Sequence, residues 1–250
     1  MPLIKQAIVD SDSLIKNFGV WDGVSPWSPA GVTAGEISST SNYPVGYTFH
    51  VRNSAYTHNI AIEGNSIAKG TAVGVTNVAP MLAVLDAGLT VNDRINVAKD
   101  GWTTTDLITF SYKYVDCLYD STVKNILIFI EGTNDIWSLS KTDVQAYNNI
   151  KTYCSTKKSQ GWYTIVSTIL PRSVGGSFET YRTSVNQMIR DAKAANESWI
   201  DQVADVAAHP IMGVNGGSNN STYFADGTHP TIAGHLELKS YFTTTINAVK

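Results

Sequence analysis

Asn125-Ile126-Leu127-Ile128-Phe129-Ile130-Glu131, followed at once by Gly132-Thr133-Asn134-Asp135, is the stretch whose reading decides the fold. Five consecutive apolar residues between polar ends are too few for a free-standing helix, and three of the five are β-branched. That pattern predicts a strand buried on both faces, the kind found in parallel sheets.

Working outward, the same alternation repeats on either side. Towards the C-terminus the sequence predicts a helix with Ser140 as N-cap and Asp143 three residues on. Val144, Tyr147, Ile150 and Cys154 form its apolar face, and Gly161 stops it. Residues 162–170 read as the next strand. Phe178, Tyr181, Val185 and Met188 then mark a helix, 202–207 a short strand, and a last helix begins near Pro230 and buries Leu238, Phe242, Ile246 and Val249. Towards the N-terminus, Leu107, Phe110, Tyr114 and Cys117 recur at helical spacing, behind a strand over 94–98. A helix over 77–87 has Pro80 in its first turn and Gly88 as its stop, and 59–63 reads as the first strand. Five strands alternating with helices predict an α/β fold with a mainly parallel five-stranded sheet covered on both faces.

Residues 1–56 break the alternation. They carry Trp21, Trp27, Tyr43, Tyr47 and Phe49 among Gly, Pro and Ser, with no repeat and no clean period. They read as a β-rich or irregular N-terminal extension packed on a core domain of residues 57–250. A contact surface for a partner chain or a glycan is the alternative.

Composition narrows the function classes. The chain has 250 residues, 43% hydrophobic and only 16% charged, with a net charge of -3. Lys and Arg form no basic stripe, which argues against nucleic acid as a partner. No apolar run is long enough to span a membrane. The first dozen residues lack the apolar block of a signal peptide. Even so, a neutral surface rich in hydroxyl and amide groups leans towards a secreted or particle-borne protein. The composition leaves the oligomeric state open. Cys117 and Cys154 each fall on an apolar helix face and read as small core hydrophobes, with a disulfide between neighbouring helices as the alternative.

In a parallel sheet, ligands bind beyond the carboxyl ends of the strands, so the residues just after each strand carry the chemistry. After the first strand stands Gly64-Asn65-Ser66. A Ser at a tight strand-to-helix turn can point its hydroxyl into the crevice, although on its own it reads more readily as a helix cap. After the second stands Gly101-Trp102-Thr103, where a Gly offers an unobstructed N–H or simply a turn. After the third, the Asn134 amide can donate to a developing oxyanion, or close an Asx turn. Near the C-terminus, Asp226-Gly227-Thr228-His229-Pro230 places a carboxylate three residues from an imidazole whose tautomer it can fix. Together these elements supply a nucleophile, three oxyanion donors (the N–H groups of Ser66 and Gly101 and the amide of Asn134), a base and its orienting carboxylate. That is the inventory for acyl transfer. Trp102 and Trp137 follow two of these residues closely and are candidate pocket walls. No G-x-S-x-G, H-E-x-x-H or G-x-G-x-x-G is present, and His50, His58, His209 and His235 show no metal-ligand spacing. Asp10-Ser11-Asp12 is too short for a calcium loop.

These blocks resemble the SGNH hydrolases, a branch of the GDSL esterases and lipases, over roughly residues 57–250. Ser66, Gly101, Asn134 and His229 match the four residues that give the family its name, and Asp226 matches its third triad member. Gly64-Asn65-Ser66 departs from the usual Gly-Asp-Ser. The resemblance implies a three-layer α/β/α sandwich of flavodoxin-like topology, no metal or other cofactor, and activity on carboxylic esters. Small acyl groups, acetyl above all, on a glycan or another small alcohol are the expected substrates. The alternatives are a non-catalytic glycan-binding or assembly module on an esterase fold, and a lipase or thioesterase of the same family.

Overall fold

The computed structural model describes residues 4–9, 15–21, 47–51, 57–89 and 91–250. In the N-terminal segment, β1 (Ile4–Val9), β2 (Ile15–Trp21) and β3 (Tyr47–Val51) form an antiparallel sheet in the order β2-β1-β3. Gln6 lies opposite both Gly19 and Phe49. Trp27, Tyr43 and Asp10-Ser11-Asp12 lie outside the described residues, as do the side chains of Trp21, Tyr47, Phe49, His50 and Cys117.

The main sheet is built from β4 (His58–Gly64), β5 (Val91–Asn96), β6 (Lys124–Ile130), β7 (Tyr163–Ser167) and β8 (Gln202–Ala204). Every pairing is parallel and the order is β5-β4-β6-β7-β8. The helices are α1 (Ser66–Lys69), α2 (Ala79–Asp86), α3 (Thr104–Tyr114), α4 (Thr133–Trp137), α5 (Asp143–Ser159), α6 (Phe178–Ala194) and α7 (Ile232–Val249). The apolar run in β6 feeds two cores. Leu127 and Phe129 point to one face, where Leu107 of α3, Ile150 and Tyr153 of α5, and Val185 and Ile189 of α6 cover them. Ile126 and Ile128 point to the other, against Ala83 and Val84 of α2 and Leu238, Phe242 and Ile246 of α7. A strand sandwiched in this way has no polar face, which is why its sequence shows no alternation. From β4 the chain turns outward to β5, then crosses back to β6 on the other side. This reversal opens a crevice between the carboxyl ends of β4 and β6, where open α/β sheets bind ligands.

Several expected boundaries shift. β5 occupies 91–96 rather than 94–98. α3 stops at Tyr114, so Cys117 falls in a short 3-10 turn, Asp116–Leu118. α5 is capped by Thr142, not Ser140. Thr142 Oγ1 accepts from Gln145 N (3.3 Å), and Gln145 Oε1 accepts from Thr142 N (3.0 Å). Ser140 instead takes a left-handed turn with φ 50°. Of the expected apolar face, Ile150 and Cys154 are buried and Tyr147 packs against the core, but Val144 is 53% exposed; the buried stripe is Ala146, Ile150, Tyr153, Cys154 and Lys157. Cys154 is a free, buried thiol, and burial raises its pKa. Among the described residues no helix is long and apolar enough to cross a membrane.

Candidate active site

β4 ends at Gly64, where φ is 149° and a Cβ would run into the Ile130 carbonyl. Only glycine lets β4 and β6 stay this close while the chain turns sharply out of the sheet. Asn65 caps α1 by accepting from Ile67 N (2.9 Å), so Ser66 is the first helical residue and not the cap. The Asn65 amide donates to Glu131 Oε1 (2.7 Å), which also accepts from Gly132 N (2.9 Å). Burial, and after it the neighbouring Asp135, pushes the Glu131 carboxyl well above the ordinary range, outweighing these hydrogen bonds. An Asp at position 65 would set a second carboxylate against this group, whereas Asn supplies the donor it needs.

The structure brings Ser66, His229 and Asp226 together across the chain. His229 Nε2 lies 2.8 Å from Ser66 Oγ, and His229 Nδ1 lies 2.7 Å from Asp226 Oδ2. Asp226 Oδ1 accepts from the N–H groups of Thr228 (3.0 Å) and His229 (2.8 Å), so the turn holds the carboxylate against the ring. Partial burial alone would raise the Asp226 pKa. The hydrogen bonds from His229 and Thr228 outweigh it and hold the pKa below the usual carboxylate value. An ionised Asp226 fixes the proton on Nδ1 and leaves Nε2 free to accept from the hydroxyl.

The other two blocks are tied to the same place. Lys99 N donates to the Gly64 carbonyl (3.0 Å), which brings the loop after β5 beside Ser66. Gly101 has φ 73°, with open space where a Cβ would stand, and among the described residues its N–H donates to no protein acceptor. Asn134, in the first turn of α4, donates from Nδ2 to the Trp102 carbonyl (2.8 Å) and accepts at Oδ1 from Arg172 Nη1 (3.2 Å). This fixes which end of the amide is the donor and leaves one Nδ2 hydrogen unassigned. The neighbouring Asp135 accepts from Thr104 N (2.9 Å) and from the Thr104 hydroxyl, tying α4 to the start of α3.

The two tryptophans part company. Trp102 turns its ring to the core, edge-on to Tyr114 at 5.0 Å and tilted on Phe110 at 5.8 Å, so only its carbonyl serves the crevice. Trp137 is 45% exposed beneath the Arg172 guanidinium. Neither lines the cavity of about 30 Å³ that lies against Asn65 and Ile67, the residues flanking Ser66. Ile130, Thr133, Leu170 and His235 also line that cavity. His235 is a structural residue: Nδ1 accepts from Ala79 N (3.2 Å), and burial, helped by His229, lowers its pKa to about 4. His209 is buried and accepts from Ile211 N and Met212 N. Among the described residues no cluster of His, Cys, Asp and Glu has the makings of a metal site.

Sequence reasoning missed Glu131 and Arg172. Glu131 reads as the polar end of a strand. Arg172 follows the strand expected over 162–170 as directly as Ser66 follows the first, and that position was its only signal.

Solved structures share this architecture at low identity, which speaks to the fold alone. A lipolytic protein of the G-D-S-L family from Desulfitobacterium hafniense is 18% identical, with a TM-score of 0.59 over 75% of this chain and 98% of its own. An acylhydrolase from Bacteroides fragilis is 22% identical, with a TM-score of 0.57 over 76% and 86%. A variant of an acetyl-xylooligosaccharide esterase from Geobacillus stearmophilus is 16% identical, with a TM-score of 0.56 over 76% and 94%. No curated protein matches the chain by sequence. The model of the GDSL-like Lipase/Acylhydrolase family matches residues 63–236. That is well over half of the 250 residues and takes in all four blocks, so the chain belongs to this family and is a carboxylic ester hydrolase.

Proposed function

We propose that the protein is a serine esterase that removes small acyl groups, acetyl above all, through a Ser66–His229–Asp226 triad. The observation that carries this reading is the hydrogen-bonded relay from Asp226 Oδ2 through both nitrogens of His229 to Ser66 Oγ, at 2.7 and 2.8 Å. His229 Nε2 takes the Ser66 proton as Oγ attacks the ester carbonyl, and Asp226 stabilises the imidazolium that forms. The N–H groups of Ser66 and Gly101 and the remaining amide hydrogen of Asn134 receive the oxyanion. His229 then returns the proton to the departing alcohol, and water releases the acyl group from Ser66 by the same route. Residues 57–250 are the catalytic domain in this reading, and residues 1–56 an extension to it.

One observation favours a small acyl group. A fold neighbour of this architecture is an acetyl-xylooligosaccharide esterase, which makes an acetylated carbohydrate a reasonable substrate to test first. The test is a panel of esters from acetyl to about ten carbons, together with labelling by a fluorophosphonate. Acetyl or butyryl esters are expected to turn over fastest. Label is expected on Ser66 alone, and Ser66→Ala should abolish both turnover and labelling without changing the melting temperature by more than a degree or so. Labelling elsewhere, or activity retained in Ser66→Ala, refutes the nucleophile, and preference for the long chains refutes the small-acyl reading.

A further inference from the structure

Arg172 sits at the carboxyl end of the sheet, beyond β7, on backbone pinned at two points. Its own N–H donates to Glu179 Oε1 (3.3 Å), and the N–H of Ser173 donates to the Gly227 carbonyl (2.7 Å) in the loop that carries Asp226 and His229. Nη1 donates to Asn134 Oδ1 (3.2 Å), and the guanidinium lies 5.7 Å from the centroid of the exposed Trp137 ring. The side chain is thus held against α4 by Asn134 and Trp137, while the backbone beside it is tied to the loop of Asp226 and His229.

What this cation lacks is a carboxylate in direct contact. Among the described residues no carboxylate forms an ion pair with it. The two acids whose fields it feels are Asp226 and Glu131. Asp226 is taken up by His229 and the N–H of Thr228, and Glu131 by Asn65 and Gly132. Among the described residues neither Arg172 Nε nor Nη2 has an acceptor; Nε is sealed from solvent and Nη2 is not. Nη2 is therefore the donor within reach of an incoming anion, and a guanidinium N–H given to a carboxylate oxygen is a charge-assisted bond. A partly desolvated cation with unmet donors is costly to keep, and an incoming anion recovers that cost.

We propose that Arg172, backed by Trp137, forms a subsite for a carboxylate on the substrate, so that the preferred esters are acidic ones, such as an acetylated sugar acid. This rests on the serine-esterase reading for the position of the scissile ester, but the anion site can be tested without turnover.

The experiment compares an acetylated sugar acid with the same ester in which a carboxamide replaces the carboxylate. The intact protein is expected to favour the acid by about ten- to a hundredfold in kcat/KM, the usual weight of a charge-assisted pair. Arg172→Gln should bring that ratio close to one, and Arg172→Lys should keep part of it. A fall in rate on the carboxamide ester reports the support that Arg172 gives Asn134, and it cancels in the ratio. A second comparison uses the Ser66→Ala protein and calorimetric Kd values for the two esters, with and without Arg172→Gln. It reads recognition even if no ester is hydrolysed, a result that would sink the esterase reading alone. If Arg172→Gln fails to fold, the parent's preference for the acid should still shrink as salt rises from about 0.05 to 0.5 M. Equal turnover and equal binding of the two esters by the parent, or a preference that survives Arg172→Gln, overturns the proposal.

Discussion

At the scale of single residues, the site is a set of groups with their alternatives removed. Asn134 shows this most clearly. One amide hydrogen goes to the Trp102 carbonyl and the oxygen faces a guanidinium, which can only donate, so the amide cannot flip. In the mechanism proposed above its remaining hydrogen receives the oxyanion, and a donor held in place acts mainly on the transition state, where charge builds on the carbonyl oxygen. Asn134→Ala is therefore expected to lower kcat by about 10²–10³ with KM little changed. The melting temperature should stay near that of the parent. A large drop in melting temperature at normal kcat would make Asn134 a turn residue only. The residues that seed this site were legible because each stands at the carboxyl end of a strand or on one tight turn. Glu131 and Arg172 were not, because their significance is a neighbour from another strand. Nothing local in Ile130-Glu131-Gly132 announces that Asn65 will donate to it.

At the scale of elements, types and order were legible while ends were not. Hydrophobic period identifies a helix or strand, but its ends depend on hydrogen bonds that the period does not register. α5 is the instructive case. Ser140 and Asp143 have the spacing of a capping box, yet Thr142 and Gln145 form it, and Val144 falls outside the buried stripe. The difference can be measured. Thr142→Ala should destabilise the protein by about 1 kcal/mol, the usual loss for an N-cap. Ser140→Gly should be neutral or slightly stabilising, because Ser140 already sits at φ 50°, where glycine carries no strain. Thermal melts of the two variants decide between the caps, and the reverse ranking would reinstate Ser140.

At the scale of the whole molecule, one buried group couples stability to pH. Glu63, inside β4, accepts a hydrogen bond from the Tyr153 hydroxyl, and burial pushes its pKa up to about 8. Its pKa is raised on folding, so the protein holds a neutral carboxyl that the unfolded chain ionises above its ordinary pKa near 4.5. The stability this contributes is whole below pH 4.5 or so and is lost as pH climbs towards 8. Glu63→Gln should flatten that decline, seen as a smaller fall in melting temperature between pH 5 and 8. An identical slope in parent and variant would assign the pH dependence to other groups. A second consequence follows from distance along the chain. Ser66 and His229 meet across 163 residues, and the loop carrying His229 leads straight into α7, which packs against α2. Closing so long a loop comes late in folding, after local helices have formed. Esterase activity is thus a reporter of finished topology: on refolding from denaturant it should return after the far-ultraviolet helical signal, and a partly folded chain will carry a serine that is chemically present and inert.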